Sequence, residues 1–555
     1  MDETMGNEPV AEQISVGRTS NGKMLLIVAS GVLILCVLFS LLPALFAPVS
    51  ADDRYWSIDT PARFDSYLDV IVGTWQDNAA FIEAGRVSTL GRLARRLVQQ
   101  AVFDVSRLSS ISLVSSLAAA KFLLLAAGFL SLLAFVRAIR WRTSDGGLVG
   151  LGRSSLITIG ATLVALIASG VQAHAHFRNG WISYAAHTYL AITIIFGTAA
   201  ASVVFARRVA EARPWAVPLG VAASVVFAVL WNWTYELDHL GLPLALFAIM
   251  AFPLAPDHRS AAQRRARLIV GGTLGTTWVV VFAATRLFLA GVCTADECYV
   301  GTSLSLGPEV LRTGWFNLAS SLPGSSGAVF LEDLDSLGSS HLWSEGTLGN
   351  LWVVGALMGL SLFIIWRRAN RLWPVAEGPC RSERSMLLLA AVGAVGVALG
   401  GALIMSLSVQ AQEVISRVGL PYRHTALTWT SIALAVALVG QALYRTGSRA
   451  LKVTAVVAVV GIVTATSAFT LPRNLVSTQA YRVTPANRAL ADIHWELIAG
   501  DLTSEGDDRR CQAFERAETH VNNPWLPQRL QPSANTLFIR LHGEPFCTTW
   551  QPDGQ

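Results

Sequence analysis

Residues 48–56 read PVSADDRYW and directly follow an apolar segment that runs from Met24 to about Ala47. That segment exceeds the 7–15 apolar residues of a signal-peptide core and is long enough to cross a bilayer, so we predict a retained helix. It ends at two adjacent carboxylates, Asp52 and Asp53. Ionisable groups near hydrocarbon are costly and are therefore functional candidates. The alternative is a solvated acidic pair that ends the helix among lipid headgroups.

Composition defines the class of protein. The 555 residues are 53% hydrophobic and 14% charged, against roughly 25% charged residues in soluble domains. We therefore predict an all-α polytopic membrane protein. The net charge of +5 comes with short arginine clusters between apolar runs, which is how membrane topology is encoded, and no nucleic-acid partner is implied.

Apolar runs near 20 residues predict about 11 transmembrane helices. They cover residues 24–47, 111–136, 154–173, 183–206, 215–233, 239–255, 268–291, 351–366, 386–407, 427–444 and 453–470. The pair at 215–255 could instead be one re-entrant hairpin, because residues 232–238 form a very tight turn. Residues 1–23 are polar, and we expect a disordered cytoplasmic tail there.

Orientation follows from the positive-inside rule. The tail and the short connections on its side hold half of the 42 Lys and Arg residues, whereas the opposite short turns contain Arg178, Arg417 and Arg423. We therefore expect a cell-membrane protein with a cytoplasmic N-terminus and an extracytoplasmic C-terminus. The outer segments are then 48–110, 292–350 and 471–555.

Four cysteines fall in these outer segments. Cys293 and Cys298 share one loop, and Cys511 and Cys547 share the tail. An oxidising compartment favours disulfides, so both pairs are expected to be bonded. A metal site at the first pair is the alternative, although no histidine stands nearby to complete it.

The first outer loop contains an amphipathic pattern at residues 90–108. Apolar residues recur at helical spacing, and Arg92, Arg95 and Arg96 lie on the other side. We predict an interfacial helix whose arginines meet phosphate groups. The alternative is a surface helix that only anchors the loop to anionic lipid.

Basic side chains also occur within or at the outer ends of the predicted spans. Lys121, Arg286, Arg423 and His424 are the candidates for binding a phosphate, because a buried cation needs an anionic partner. Pairing with Glu236, Asp238 or Glu413 inside the protein is the alternative.

Common catalytic and nucleotide-binding motifs are absent from the sequence. The longest inner connection has only about 19 residues, too few for a folded nucleotide-binding domain. Chemistry would then occur outside, on a donor that is already activated, and a polyprenyl-phosphate sugar fits this setting.

Together, a first span ending at Asp52-Asp53, an outer loop with an interfacial helix, about eleven spans and an outer tail resemble the C-type-fold (GT-C) membrane glycosyltransferases. Asp52-Asp53 followed by aromatic residues, with Gly85-Arg86 or Gly91-Arg92 before the loop helix, is similar to the serotype-converting glucosyltransferases. The disulfide-bearing tail departs from that group and leaves the sugar open.

The resemblance implies a polyprenyl-phosphate-linked sugar as donor, a glycan or glycolipid as acceptor, and contact with membrane lipid. It implies that Asp53 or Asp52 is the base of an inverting transfer, with its neighbour positioning the acceptor or binding Mg²⁺ or Ca²⁺. A lone base would work without a metal, so the cofactor stays open.

Two other functions remain open. A lipid-linked polysaccharide polymerase or ligase would rely on arginine and histidine in a large loop, and 292–350 contains Arg312 and His341. A secondary transporter or flippase would show internal repeats, which we do not find.

The tail, residues 471–555, is expected to be a small α/β domain. A helix is predicted at 485–499 and a strand at 536–541. Trp495, Trp525 and Trp550 could stack on acceptor sugars, or could lie in the domain core or the interfacial belt.

Overall fold

The computed structural model describes twelve stretches of the chain. These are residues 9–48, 53–143, 145–173, 179–211, 216–292, 304–336, 338–339, 351–373, 381–420, 422–446, 448–520 and 529–550. Asp52, Cys293 and Cys298 lie outside them, so the predictions made for these three residues stay untested.

Helices make up almost all of the described secondary structure. The first half contains α1 (Pro9–Leu45), α2 (Asp53–Arg63), α3 (Tyr67–Gln76), α4 (Asn78–Glu83), α5 (Thr89–Ser109), α6 (Leu113–Ala138), α7 (Arg153–Ser169), α8 (Ala185–Glu211), α9 (Ala216–Trp231), α10 (Gly241–Ala251), α11 (Ser260–Ala266) and α12 (Thr273–Val292). Two 3₁₀ turns, Glu236–Leu240 and Asp257–Arg259, and a π-helical turn, Arg267–Gly272, join the last of these.

The second half continues in the same way. It contains α13 (Glu309–Ser320), α14 (Gly327–Ser336), α15 (Trp352–Leu372), α16 (Arg381–Ser406), α17 (Val409–Val414), α18 (Thr425–Tyr444), α19 (Arg449–Val483), α20 (Pro485–Ala499), α21 (Ser504–His520) and α22 (Gln531–His542). One antiparallel hairpin, β1 (Arg140–Arg142) with β2 (Leu148–Gly150), connects α6 to α7 and pairs Trp141 with Val149.

Within the described residues, eight helices are long and apolar enough to cross a membrane. They are Asn21–Leu45, Leu113–Ala138, Ala186–Glu211, Asp257–Val292, Trp352–Leu372, Glu383–Ser406, Thr425–Tyr444 and Arg449–Val483. The architecture is therefore compatible with the predicted all-α polytopic protein. Arg153–Ser169 and Val217–Trp231 are apolar but shorter, and α10 is shorter still, so the count of eleven spans stays a prediction.

One boundary prediction is wrong. The predicted disordered tail includes residues 9–23, but these residues are helical: α1 begins at Pro9 and continues without a break into the first candidate span. The polar residues before the apolar segment extend its helix, because adding residues to an existing helix avoids the free-energy cost of forming a new helix nucleus.

Polar side chains join the helices around α7, which is buried along most of its length. Thr158 Oγ1 donates to Gln441 Oε1 over 2.9 Å, and Trp366 Nε1 donates to Thr162 Oγ1 over 2.9 Å. Thr466 Oγ1 donates to Ser169 Oγ over 2.8 Å. Such interhelical hydrogen bonds contribute where an unpaired polar group would be surrounded by hydrocarbon.

The described part of the tail is helical, so the predicted strand is wrong and the α/β class of the tail is not confirmed. Residues 536–541, predicted as a strand, lie in α22. Leu537 and Phe538 are buried at helical spacing with Ala534, and Gly543 ends the helix with a φ of 83°. Burial of one helical face outweighs the short run of strand-forming residues, as tertiary context commonly does.

A disulfide joins Cys511 of α21 to Cys547, as predicted. It ties α21 to the segment after α22, around a core that contains Phe514, Phe538 and Phe546. The same core includes Ile58 of α2 and Phe103 of α5, so the tail packs directly on the segment between α1 and α6.

We expect reduction of this disulfide, or the double substitution Cys511→Ser/Cys547→Ser, to destabilise the tail by about 2–4 kcal/mol, because the bond restricts the unfolded chain. Limited proteolysis of the purified protein with and without reductant would measure this as faster cleavage within residues 504–550. Reductant should have no further effect on the double variant. Equal cleavage of the reduced and oxidised wild-type protein would contradict the expectation.

Candidate functional site

Helix α5 forms where the sequence predicts it, but its orientation differs from the expectation. The arginine face is inside the protein: Arg92 is 2% exposed, Arg95 9% and Arg96 4%. Val105 and Leu108 on the other face are 46% and 78% exposed. Neighbouring segments of the chain therefore cover the arginine face, and contact of these arginines with a phosphate stays a prediction.

Aromatic rings cover the guanidinium groups. Arg95 Cζ lies 3.5 Å from the centroid of the Trp56 ring, and Arg92 Cζ lies 3.6 Å from that of Phe81. Each such contact stabilises a desolvated cation by about 2 kcal/mol. Among the described residues neither Arg92 nor Arg95 has an ion-pair partner, and Nε of each is buried without a hydrogen-bond acceptor.

Arg96 has a different environment. Its Nη2 atom lies 2.7 Å from Asp77 Oδ2, and its Nη1 atom donates to Thr74 Oγ1 over 3.0 Å. The charge of Arg96 is thus balanced by a carboxylate of its own loop. We conclude that Arg96 fixes α5 to α3, whereas Arg92 and Arg95 keep donors available.

Further aromatic and basic side chains lie next to Trp56. The ring centroid of Trp56 lies 6.2 Å from that of Tyr184 and 6.0 Å from that of His187. His187 in turn contacts Tyr235 edge to face, with centroids 3.9 Å apart. Arg423 Cζ lies 4.3 Å from the Tyr184 ring centroid, and Arg423 Nη2 donates to Tyr184 Oη over 3.2 Å.

We refer to these side chains together as the arginine–aromatic cluster. Its members are Arg92, Arg95, Arg423, Trp56, Tyr184, His187 and Tyr235. The Tyr235 hydroxyl and His187 Nε2 are also buried without a hydrogen-bond partner. A buried polar group without a partner is costly, so a cluster with several of them has the composition of a site that binds a polar ligand.

A glycine permits the close packing of α5 on this cluster. Leu90 N donates to Trp233 O over 2.9 Å, which brings the first turn of α5 against the turn that contains Tyr235. A Cβ atom added to Gly91 would lie 2.5 Å from the Tyr235 ring. Only a glycine fits here without a shift of the ring.

Asp53 lies beside the cluster as the first residue of α2. Its Oδ2 atom accepts the backbone N–H of Tyr184 over 2.7 Å. Tyr184 has a φ of 56°, a conformation that a non-glycine residue rarely adopts and that occurs often at functional sites. The backbone of Tyr184 therefore orients the carboxylate, and its ring contacts Arg423.

A narrow cleft leads to Asp53 from the apolar faces of α5 and α6. It contains Asp53, Ser57, Gln99 and Lys121 among apolar side chains, including Val102 and Leu117. Lys121 is fully buried, interacts electrostatically with Asp53, and donates to Ile182 O over 3.0 Å and to Ala44 O over 3.3 Å. The cleft thus combines hydrocarbon walls with a carboxylate and an ammonium group.

Burial affects the titration of the loop residues. Desolvation, followed by repulsion from Arg96, lowers the pKa of Arg92 to about 10. Desolvation also lowers the pKa of Arg96, against the opposing effect of Asp77. Arg92 stays protonated at neutral pH because its pKa is still well above 7, so the cluster carries positive charge there.

Two of the predicted phosphate ligands lie elsewhere. Arg286 Cζ is 5.3 Å from the Phe282 ring centroid on α12, within a separate aromatic group that includes His239. His424 is buried and shares hydrogen bonds with Asn317 O and Ser321 Oγ. Desolvation lowers its pKa to about 4, so it is neutral near pH 7 and is unsuited to hold a phosphate by charge.

The described side chains do not suit a divalent cation. No group of three or more His, Cys, Asp or Glu side chains that could hold a metal occurs among the described residues. At Asp53 the neighbouring Lys121 ammonium already supplies a positive charge, which would repel a second cation. Asp52 lies outside the described residues.

Sequence reasoning singled out Asp53, Lys121 and Arg423 and the arginines of α5, and the structure brings these into one region. It did not assign roles to Trp56, Tyr184 or Tyr235. The one available signal was the tight turn at residues 232–238, which packs against α5.

Comparison of the chain with protein-family models, with curated proteins and with solved structures gave no match.

Gly91→Ala should destabilise the protein by about 1–3 kcal/mol, because the new methyl group must displace the Tyr235 ring. Thermal unfolding of the purified protein would measure the loss. Gly396→Ala is the control: a Cβ atom there meets nothing within 4 Å, so helix propensity should leave it neutral or stabilised by up to about 1 kcal/mol. Equal stability of the two variants would contradict the packing argument.

Proposed function

We propose that this protein is an inverting glycosyltransferase that uses a polyprenyl-phosphate-linked sugar as donor. The acceptor would be a cell-envelope glycan or glycolipid on the outer face of the membrane. One observation carries the proposal: Arg92 and Arg95 are buried without a carboxylate partner beside Asp53, a carboxylate that lies just beyond the end of a candidate membrane span.

A lipid phosphate would satisfy these groups. A phosphate brings negative charge and several acceptor oxygens, and arginine binds such oxygens with paired donors. The cleft beside Asp53 is lined by Val98, Val102 and Leu117, so apolar side chains lie next to the charged groups. Charge in the head and hydrocarbon in the tail are the two features of a polyprenyl phosphate.

The proposed reaction needs a base and a charged leaving-group site. The acceptor hydroxyl oxygen attacks the anomeric carbon, its proton passes to the Asp53 carboxylate, and the bond between the anomeric carbon and the phosphate oxygen breaks. The electron pair of that bond stays on the departing phosphate, where Arg95, Arg92 and Arg423 offset the negative charge. Lys121 stabilises the ionised form of Asp53 by its charge.

Tyr184 is a positioning residue in this scheme. Its N–H donates to one carboxylate oxygen of Asp53 and so fixes the direction of the proposed base. A catalytic group held by a fixed backbone donor needs little reorganisation when the reaction occurs.

The tail would contribute to the acceptor side. Ser533 of α22 donates to Asp59 Oδ1 over 3.1 Å, and Arg540 pairs with Asp65, so the tail is bound to the helix that begins with Asp53. Trp495 is 52% exposed and could stack on a sugar. Trp550 instead contacts Phe514 in the core of the tail, which makes it structural, and Trp525 lies outside the described residues.

A polymerase or ligase that acts on lipid-linked polysaccharide is the second candidate, because it too would use a lipid phosphate as leaving group. The arginine it would need from residues 292–350 is not at the cluster: Arg312 pairs with Glu309 and is mostly exposed. A transporter or flippase would bind the same lipid without releasing its phosphate. A labelled lipid-linked sugar separates these possibilities, because only a transferase or ligase frees the polyprenyl carrier.

Arg95→Gln should raise the Kd for a polyprenyl phosphate by about 30-fold or more, equivalent to about 2 kcal/mol, because it removes a buried charge from the ligand. Arg107→Gln is the matched control, since Arg107 is on the same helix and exposed. Binding to the purified protein in nanodiscs would be measured by titration. Equal Kd values for the two variants would remove the cluster from phosphate binding.

Asp53→Asn should lower the transfer rate by about 10²–10⁴-fold, because the amide keeps the shape of the side chain and cannot accept the proton. Release of polyprenyl phosphate from a labelled donor in the presence of acceptor would report the rate. Asp508→Asn, an exposed substitution in the tail, should leave it unchanged. Full activity of the Asp53 variant, with normal purification, would exclude Asp53 as the base.

A further inference from the structure

Helix α3 presents an apolar stripe that the rest of the described chain does not cover. Five side chains at helical spacing are 45–67% exposed: Tyr67, Leu68, Ile71, Val72 and Trp75. The opposite face, Val70 and Thr74, is buried. Contiguous exposed apolar surface of this kind marks a site of interaction with a membrane or another protein.

The two ends of α3 fix its position. At its start, Tyr67 interacts electrostatically with Asp104 of α5. At its end, the Trp75 ring lies 5.4 Å from that of Trp233, two residues beyond α9. The helix therefore reaches from the second half of α5 to the turn that follows α9.

Exposed apolar side chains also follow α3 along the chain, on α5 and on the candidate span α6. Val105 and Leu108 on the exposed side of α5 are followed by Ile111, and then by Phe122 and Leu123 on the candidate span α6. All five are at least 37% exposed. An apolar surface next to a candidate membrane span is expected to contact the same lipid as that span.

We propose that α3 lies in the membrane interface and buries Leu68, Ile71 and Val72 among the lipid chains of the leaflet on the Asp53 side. Tyr67 and Trp75 at the two ends are the residue types that occupy the boundary between headgroups and hydrocarbon. Ser66 caps the helix, accepting the Asp69 N–H over 3.1 Å, so α3 is a preformed amphipathic element. It takes the place that the sequence assigned to the arginine face of α5.

The role of α3 in the protein follows from its contacts. Thr74 accepts a hydrogen bond from Arg96 of α5, so the depth of α3 in the lipid sets the height of α5. The arginine–aromatic cluster is thereby held at the depth of a lipid headgroup. The lipid contact itself does not depend on the proposed transfer reaction.

Photo-crosslinking tests this proposal in the full-length protein. The photoreactive amino acid p-benzoyl-phenylalanine would replace Val72 in one variant and Leu502 in another, since Leu502 is 46% exposed on the tail, away from α3. Both proteins would be irradiated in nanodiscs of palmitoyl-oleoyl phosphatidylethanolamine and phosphatidylglycerol. Mass spectrometry of the digests would quantify the lipid adducts.

We expect about tenfold more lipid adduct at position 72 than at position 502, because only the former is inserted among acyl chains. Crosslinks from position 72 to a second copy of the chain would overturn the proposal and make the stripe a self-association surface. Adduct yields equal to those at position 502 would overturn it as well, since α3 would then face water. If the variant still bound polyprenyl phosphate in either case, this proposal would fail while the proposed function would stand.

Discussion

The packing of the α5 arginines against aromatic rings constrains the rest of this loop. Removing a guanidinium group from water costs several kcal/mol, and a cation–π contact returns about 2 kcal/mol. Arg96 recovers the difference through Asp77, but Arg92 and Arg95 do not have a carboxylate among the described residues. Their burial must be maintained by the surrounding fold. A negatively charged ligand would restore the balance, which is why this cluster has the strongest claim to function.

Several segments are needed to hold that arrangement. Helix α2 supplies Trp56, and the turn after α9 supplies Tyr235 through the space left by Gly91. The tail packs against α2 and α5, since Ile58 and Phe103 share a core with Phe538. The C-terminal tail is therefore part of the structure that positions Asp53, and its proposed contribution to an acceptor site would come from this shared packing.

Asp53 lies next to both the end of a candidate membrane span and the arginine–aromatic cluster. The carboxylate is held by a backbone N–H from a residue with positive φ, and a fully buried lysine lies in the same apolar cleft. Strained backbone at one residue is tolerated where surrounding contacts fix it. Here Tyr184 is fixed by Trp56, His187 and Arg423, so the aromatic contacts that cover the cations also determine the direction of the carboxylate.

The sequence alone determined the features that depend on local composition. Apolar length predicted the long helices, the period of 90–108 predicted α5, and the shared compartment predicted the disulfide between Cys511 and Cys547. Asp53, Lys121 and Arg423 were found because a charge near hydrocarbon is conspicuous in any sequence. Tertiary packing decided which face of α5 is buried, because amphipathicity defines two faces without saying whether protein or lipid covers each. It also made residues 536–541 helical, and it separated Arg286 and His424 from the cluster. These outcomes depend on contacts between residues far apart in the chain, such as Gly91 with Tyr235, which a one-dimensional pattern does not contain.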